Sequence, residues 1–573
     1  MYVRVTSTPN SPRKSVKFVE SVREGLKVKQ VMIHHVGIAA NESEIEKLKL
    51  LGREFIACEQ LKREESSGQP SLFPSETPSQ RLDQIEKNEE IKKRGRKPRS
   101  TLQDVTSLDL ISLADVVEEQ RIIEGVHDIA GHVYSQLGYD QLLPRKKDKE
   151  LLKDLVLMRL ANPSSKLMAQ QILDKRFART HDLSSLYRLM DKVYPKIDAL
   201  KTSTFNRTQQ IIPETLDILF FDCTTLYFES TETDELRQFG YSKDHRFNTT
   251  QVVLALATTQ DGLPIGYELF EGNKAEVKTL LTCLESWKKT FKIGSVCFVA
   301  DRAMMSEENL KALDDQGHSY VVAAKLRSLP EALKADILAE EHYTIQSFGD
   351  HVGWVGEFSY KSRRLIVSYK AARAHRDAHQ RHQVVEKITK RLGKGGDTQK
   401  LITNQGVKKF TTTENSKTKL DQEKIDRDAA WDGLHGVITN IKAPPHENGI
   451  PAKSLLERYG HLWKIEESFR LNKHTLSMRP IYHFNPERIK SHIALCYMAF
   501  SVLRHMEYVV NLTQKITPKV TIDELMNVQA SLLRHTPTGK MYRLPGKFSH
   551  NAAKIYKAFH IERKNHAQEL IHI

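Results

Sequence analysis

Three acidic residues far apart in the chain stand where carboxylates can do chemistry. Asp222 closes the apolar run LDILFFD, and Asp301 closes SVCFVAD. Both runs read as buried strands with helical sequence to follow, so the two carboxylates are expected at one edge of a mixed sheet. Burying a lone carboxylate is costly, and such groups usually face a cation, a hydrogen-bond network or a metal. Two short Asp side chains on adjacent strands can hold Mg²⁺ through oxygen ligands at about 2.0–2.1 Å. A pair of such ions about 3.5–4 Å apart stabilises both the attacking and the leaving oxygen of a phosphodiester displacement. The competing reading is that each Asp only caps a turn or a helix.

The third acid is Glu466, within LLERYGHLWKIEESFRLNKHTL (455–476). Tyr459, Glu466 and Lys473 are seven apart, and seven residues of α-helix turn through about 700°, which aligns all three on one narrow stripe. Arg470, four residues beyond Glu466, lies beside it. One helical face thus offers an acid to complete a metal site and bases to hold a phosphate. The competing reading is a surface helix with an ordinary ion pair.

The elements that must position these groups follow from the pattern between them. TQVVLALATT (250–259) and LPIGYELFEGN (263–273) predict two strands hinged at Asp261-Gly262, and helices are expected over about 276–290 and 306–316, with a strand at SYVVAA. The interval from Asp301 to Glu466 is far longer than one strand-helix step needs. Within it, 340–370 is β-like, 371–392 is a basic helical stretch, KKFTTT (408–413) is strand-like, and GVITN returns the chain to the sheet after a turn at Asp432-Gly433. Trp354 and Trp431 are the indoles of residues 340–440. A core role is the plainer reading for each, and stacking on an extruded base, worth about 1–3 kcal/mol, is the other. Gly393, Gly395 and Gly396 do not end in the Gly-Lys-Ser/Thr of a phosphate loop, so no nucleotide cofactor is expected.

Outside this region the chain reads as modules. Residues 1–62 form a small α+β module, with strands around Val16 to Phe18 and VKQVMIHHVG, a turn at Gly25 and a helix from Glu42 to Leu61. Residues 63–104 are a Pro- and Ser-containing linker that ends in IKKRGRKPRS. That arm is either a solvated charge run or a segment that lays Arg94 and Arg96 into a DNA minor groove; its core resembles an AT-hook with the proline one residue late. Residues 105–212 read as helical, with Lys166, Lys175, Arg176, Arg179 and Arg188 suited to duplex DNA or to a wet basic face. The remaining divisions are a first core part at 213–325, a β-rich insertion at 326–445, a second core part at 446–510 and a helical tail at 511–573.

The composition agrees with this reading. Lys and Arg number 87 against 72 Asp and Glu, a net charge of +15, which favours a polyanionic partner. At 39% hydrophobic the chain is not wholly disordered. The five cysteines form no CxxC pair, so neither a disulfide framework nor a zinc site is indicated. The longest apolar run, near Ile493 to Leu503, falls short of the roughly 18 residues of a membrane span, and no membrane partner is expected. A cytoplasmic location is expected.

The order Asp222, Asp301, Glu466 resembles the DDE triad of bacterial insertion-sequence transposases with an RNase H-like catalytic domain. The third segment resembles the Tyr-x2-Arg-x3-Glu-x6-Lys signature of one group of them: Tyr459, Glu466 and Lys473 match, while Leu462 stands in the Arg position and Lys464, Arg458 or Arg470 would have to supply that charge. FDCTTLYFES, GLPIGYELFEGNKAE, VADRAMMS and RIKSHIALCYMAF look like the same group. The resemblance spans about 216–505. It implies a multidomain α/β protein whose RNase H-like core is interrupted by a DNA-contacting β-rich insertion. It further implies Mg²⁺ (or Mn²⁺) held by Asp222, Asp301 and Glu466, with Tyr459, Arg470 and Lys473 on the phosphate. The partners would be transposon terminal inverted repeats, target DNA and a second copy in a homodimer. A metal-dependent nuclease without strand transfer, and a non-catalytic DNA-binding regulator, are the alternatives.

Overall fold

The computed structural model describes residues 2–7, 14–24, 27–39, 111–212, 218–241, 248–275, 278–291, 296–301, 306–348, 351–393, 409–414, 417–446 and 449–570. These fall into two compact units, residues 1–111 and 112–573.

In the first unit β1 (Tyr2–Ser7), β2 (Lys14–Glu24) and β3 (Lys27–Ala39) make an antiparallel meander. Val16 and Val19 of β2 are buried, as the apolar alternation requires. The turn at Gly25, the helix expected over 42–61, and the linker and arm with Arg94 and Arg96 lie outside the described residues.

The second unit opens with β4 (Val116–Ile123), where helix was expected. A π-helical turn at Val126–Ala130 then runs into α1 (Gly131–Gln136). Next come α2 (Lys146–Ala161), α3 (Lys166–Phe177), α4 (Leu183–Val193) and α5 (Ile197–Ile211). The break between α2 and α3 falls on Asn162-Pro163-Ser164, and Ser165 caps α3 by accepting the Met168 N–H at 3.2 Å.

A nine-stranded mixed sheet follows. β5 (Ile218–Tyr227), β6 (Gln251–Thr258) and β7 (Pro264–Glu271) are an antiparallel meander. After α6 (Thr279–Phe291), β8 (Cys297–Ala300) lies parallel to β5; after α7 (Glu307–Asp315), β9 (Ser319–Ala323) lies parallel to β8. The chain then leaves through α8 (Glu331–Leu338), β10 (Tyr343–Phe348), β11 (His351–Tyr360), β12 (Arg363–Tyr369) and α9 (Ala371–Gly393). It returns through the β13 (Thr411–Glu414) and β14 (Lys417–Leu420) hairpin, α10 (Gln422–Ala429) and β15 (Leu434–Thr439). The order across the sheet is β10-β11-β12-β15-β9-β8-β5-β6-β7. The strands of 343–439 other than the β13–β14 hairpin therefore extend this sheet instead of folding apart from it. The reason is the edge of β9: an open edge is a pairing template, and β15 covers it with Val437, Ile438 and Thr439 opposite Ala323, Val322 and Val321.

The chain ends with α11 (Ala452–Gly460), α12 (Trp463–Arg470), α13 (Pro486–Asn511), α14 (Pro518–Met526), β16 (Gln529–His535), β17 (Met541–Pro545), α15 (His550–Ala558) and β18 (Gln568–Leu570). The tail is not helical throughout, because β16 pairs with β4 and completes a four-stranded sheet of order β18-β17-β16-β4. That pairing across more than 400 residues is invisible to local periodicity.

Side chains alternate between two cores. Leu219, Phe221 and Cys223 of β5 face α6 and α7, with Trp287 buried against them. Phe220 and Leu226 face the opposite layer, where α2, α4, α5, α12 and α13 share one core. α13 is long and apolar enough to cross a membrane, yet 83% of its most apolar window is buried, against α2, α4, α5 and β7. It is a core helix, and the apolar run noted near Ile493 is its centre.

Candidate active site

Parallel register brings the two aspartates together. β5 and β8 pair Phe220 with Val299 and Phe221 with Ala300, so Asp222 and Asp301 are the next residues on neighbouring strands. Both fall in phase with the face that carries Phe220, Leu226, Cys297 and Val299. α12 packs on β5 and β6 through Ile465 and Phe469 in that same core. Glu466 is therefore presented by the helix that covers the strand of Asp222. Asp222 does not end its strand as the apolar run suggested; β5 continues to Tyr227, and Oδ1 of Asp222 accepts the Cys223 N–H at 2.7 Å.

The stripe of Tyr459, Glu466 and Lys473 is not carried by one helix. α11 ends at Gly460, α12 begins at Trp463, and Lys473 lies in a π-helical turn, Leu471–Thr475. The break at His461-Leu462 and the wider π-turn both change the angular register, so the 700° arithmetic no longer holds. Leu462, in the place of the signature Arg, is 7% exposed and belongs to the core. Tyr459 stacks on His435 of β15, with ring centroids 5.0 Å apart.

A cleft of about 1130 Å³ takes in Asp301, Glu466, Tyr459 and Trp463. Asp222, Arg470 and Lys473 are not among its lining residues. Its other wall is cationic: Lys325, Arg327, Lys370, Arg373, Arg376 and Lys409. Those six outnumber the lining carboxylates Asp301, Asp377, Glu457 and Glu466. Some of that charge is neutralised locally, since Lys409 Nζ lies 2.6 Å from Asp428 and Arg373 lies 3.7 Å from Asp377. The sequence marked the start of α9 only as basic; that Lys370, Arg373 and Arg376 share a cleft with Asp301 comes from β15 returning to β9.

Arg504 is the positioning residue that sequence reasoning missed. Only 1% exposed, it sits on α13 and donates to Glu467 Oε2 at 2.9 Å, Ser468 Oγ at 2.9 Å and the Lys464 carbonyl at 3.3 Å, and to Glu507 at 2.6 Å. It ties the turn that carries Glu466 to the core helix. Gly262 lies against it at φ +81°, a backbone conformation that favours glycine, and a Cβ there would be in ordinary contact with the guanidinium at 3.4 Å. An arginine inside RIKSHIALCYMAFSVLRH carries no motif, and burial alone reveals it.

Trp354 is 43% exposed, contrary to the plainer core reading, because it stands on β11 beside β10 at the edge of the sheet. It lines a separate cavity of about 300 Å³ with Tyr343 and Tyr369. Trp431 is half-buried against Leu326 and Leu329. Asp432 holds Arg381 in a two-pronged pair at 2.5 and 2.6 Å, a structural role at the turn before β15.

The donors fit a hard divalent cation: three carboxylates, with no thiolate or imidazole among them. Among the described residues no three His, Cys, Asp or Glu side chains are close enough to hold one ion. The fold sets Asp222 beside Asp301 on neighbouring strands and Glu466 in one cleft with Asp301; it does not close the three around a metal.

A family model, the transposase DDE domain, matches residues 213–502. With half of the chain matched, the protein belongs to the DDE transposase family, whose members as a class are polynucleotidyl transferases acting on DNA. A solved structure of the piggyBac transposase synaptic complex with hairpin DNA is similar at 9% identity and a TM-score of 0.37, covering 70% of this chain and 77% of that one. The Mos1 transposase paired-end complex with the left transposon end is similar at 12% identity and a TM-score of 0.14, covering 49% and 74%. At these scores neither likeness supports a statement about this chain's chemistry. No curated protein matches the chain.

Proposed function

We propose that the protein cleaves transposon ends and joins their 3′-hydroxyls to target DNA, with Asp222, Asp301 and Glu466 as its catalytic carboxylates. The observation that carries this is the register of β5 and β8, which sets Asp222 beside Asp301 on the face covered by the helix of Glu466. The strand order β7-β6-β5-β8-β9, antiparallel then parallel, supports an RNase H-like core. When bound, Mg²⁺ (or Mn²⁺) would supply activation of the attacking oxygen and neutralisation of the leaving one. Asp222, Asp301 and Glu466 would hold it, drawing together as it binds.

The rest of the work belongs to the chain. Lys370, Arg373 and Arg376 attract and align the DNA backbone along the cleft; alignment and charge neutralisation supply most of the barrier reduction in phosphoryl transfer. Tyr459, braced on His435, lies in the cleft to contact the phosphate, while Arg470 and Lys473 reach it only from outside the present lining. Arg504 keeps α12 seated so that Glu466 faces the same space as Asp301. The exposed Trp354 stands ready to stack on an unpaired base beside that path. A homodimer bridging two ends, and use of the terminal inverted repeats, belong to the same proposal.

The test is an end-cleavage and strand-transfer assay in Mg²⁺ with intact and pre-cut end DNA. Cleavage together with joining of pre-cut ends is expected. Cleavage without joining would make the protein a nuclease, and tight end binding without either reaction would make it a regulator.

A further inference from the structure

A second cationic site lies away from the cleft, between the helical layer and the loop before α13. Lys166 was read from sequence as suited either to duplex DNA or to a wet basic face, yet it is only 7% exposed, whereas Lys175, Arg176 and Arg188 on the same layer are exposed. Among the described residues its ammonium has no hydrogen bond or ion pair. A lysine buried without a partner is costly. The groups within electrostatic reach of it make matters worse: Arg159, His483 and His492, with the Cys496 thiol the one neighbour that favours its charge.

The geometry around it is built. Arg159 Nη1 reaches the Ser477 carbonyl at 3.5 Å, and His492 Nε2 lies 3.0 Å from the Met478 carbonyl, so both are anchored to one loop. His483 stacks 5.3 Å from His492. With Nε2–H donating to Met478, the other ring nitrogen of His492, Nδ1, is a buried acceptor with no hydrogen-bond partner, so the donors for an anion come from Lys166 and Arg159. Lys166 is also the first residue of α3, a twelve-residue helix, whose N-terminal dipole adds positive potential at the same place. Asp191 of α4 is paired with Arg488 at 2.8 Å.

We infer that Lys166 and Arg159, beside His492, form a binding site for a phosphate oxyanion, separate from the acidic cleft. The ligand supplies what the buried lysine lacks, two or three anionic oxygens, and Lys166 and Arg159 donate to them. Burial and the neighbouring Arg159 hold the Lys166 pKa down to about 7, and a bound anion would restore its full charge. The phosphate comes from a DNA strand, which rests on the transposase reading, or from free phosphate, which does not; the experiment separates the two.

The test is thermal melting of the full chain in sodium phosphate against sodium chloride at matched ionic strength, beside Lys166→Met and Arg159→Gln. Phosphate is expected to raise the wild-type melting temperature by about 1 °C, the size of a 1 kcal/mol linkage effect in a unit this large. Lys166→Met should melt at or above the wild type in chloride and gain nothing from phosphate. If it does not fold, Arg159→Gln, at a half-buried position, must show the lost response instead. An equal phosphate response in wild type and variants, or none in wild type, would overturn the site. A duplex-binding titration against salt then assigns the source. A slope reduced by about 1 in Lys166→Met places a DNA phosphate there, and an unchanged slope overturns the DNA source in favour of free phosphate.

Discussion

At the scale of single residues, burial decides what a charge does. Asp154 on α2 is 1% exposed and accepts from His127 at 3.0 Å and His181 at 2.7 Å, with Arg179 at 3.5 Å. Burial pushes its pKa up, but these donors outweigh burial and hold it at about 2, below the ordinary 3.8. A lowered carboxylate contributes stability that is present above about pH 4 and lost as the pH falls toward 2. Asp154→Asn is expected to lose about 2 kcal/mol near neutral pH, with the difference from wild type shrinking in urea melts on approach to pH 2; a difference independent of pH would contradict this. In the cleft, Asp301→Asn and Glu466→Gln should each slow Mg²⁺-dependent cleavage by about 10³-fold or more, on the order of 4 kcal/mol of barrier, while DNA affinity measured by titration stays near wild type. Asp301 and Glu466 were legible in the sequence because an apolar run ending in an acid, and a Glu seven from a Tyr and a Lys, are local patterns. Lys166 and Arg504 were not, because composition gives a charge and only packing tells whether it is buried.

At the scale of elements, the strands and helices around the acids followed from periodicity. β6, β7, α7, β9 and β15 lie where alternation and the turns at Asp261-Gly262 and Asp432-Gly433 put them, with Gly262 and Gly433 at φ +81° and +80°. What periodicity missed were long-range pairings. β4 looked helical because its partner β16 lies more than 400 residues away, and α11–α12 looked continuous because Gly460 is a weak breaker beside a strong heptad spacing. Arg504 is the joint between these elements and the site. Arg504→Ala removes one side of a buried charge network and leaves Glu467 and Glu507 facing a void, so a loss of about 3–5 kcal/mol is expected by calorimetry. Cleavage should fall with it even below the melting temperature, because α12 loses its anchor; full activity in the folded variant would remove the anchoring role.

At the scale of the molecule, the helical layer, the nine-stranded sheet and the tail share a core. Removing the chain after Met526 strips β16 from β4 and leaves the Glu124 and Gly125 N–H groups without the Val528 carbonyl, which they reach at 2.9 and 3.2 Å. Such a truncation is expected to melt several degrees lower and to associate through the bared edge of β4 in size-exclusion runs. Removing residues 1–111, the separate unit, should leave the melt of 112–573 in place while weakening DNA binding. The cationic wall belongs to this scale as well. Reversing Lys370, Arg373 and Arg376 to Glu should weaken duplex binding across all sequences and flatten its salt dependence by about one unit per charge.

The claim on which the function turns is that Asp222, Asp301 and Glu466 share a divalent cation. Fe²⁺ in place of Mg²⁺ on the DNA-bound full chain, with ascorbate and peroxide, would mark that cation by cutting the backbone beside its ligands. Mass spectrometry should find cuts clustered near positions 222, 301 and 466 together, suppressed by excess Mg²⁺. Cuts that leave out one of the three, or that Mg²⁺ does not suppress, would contradict a shared metal site.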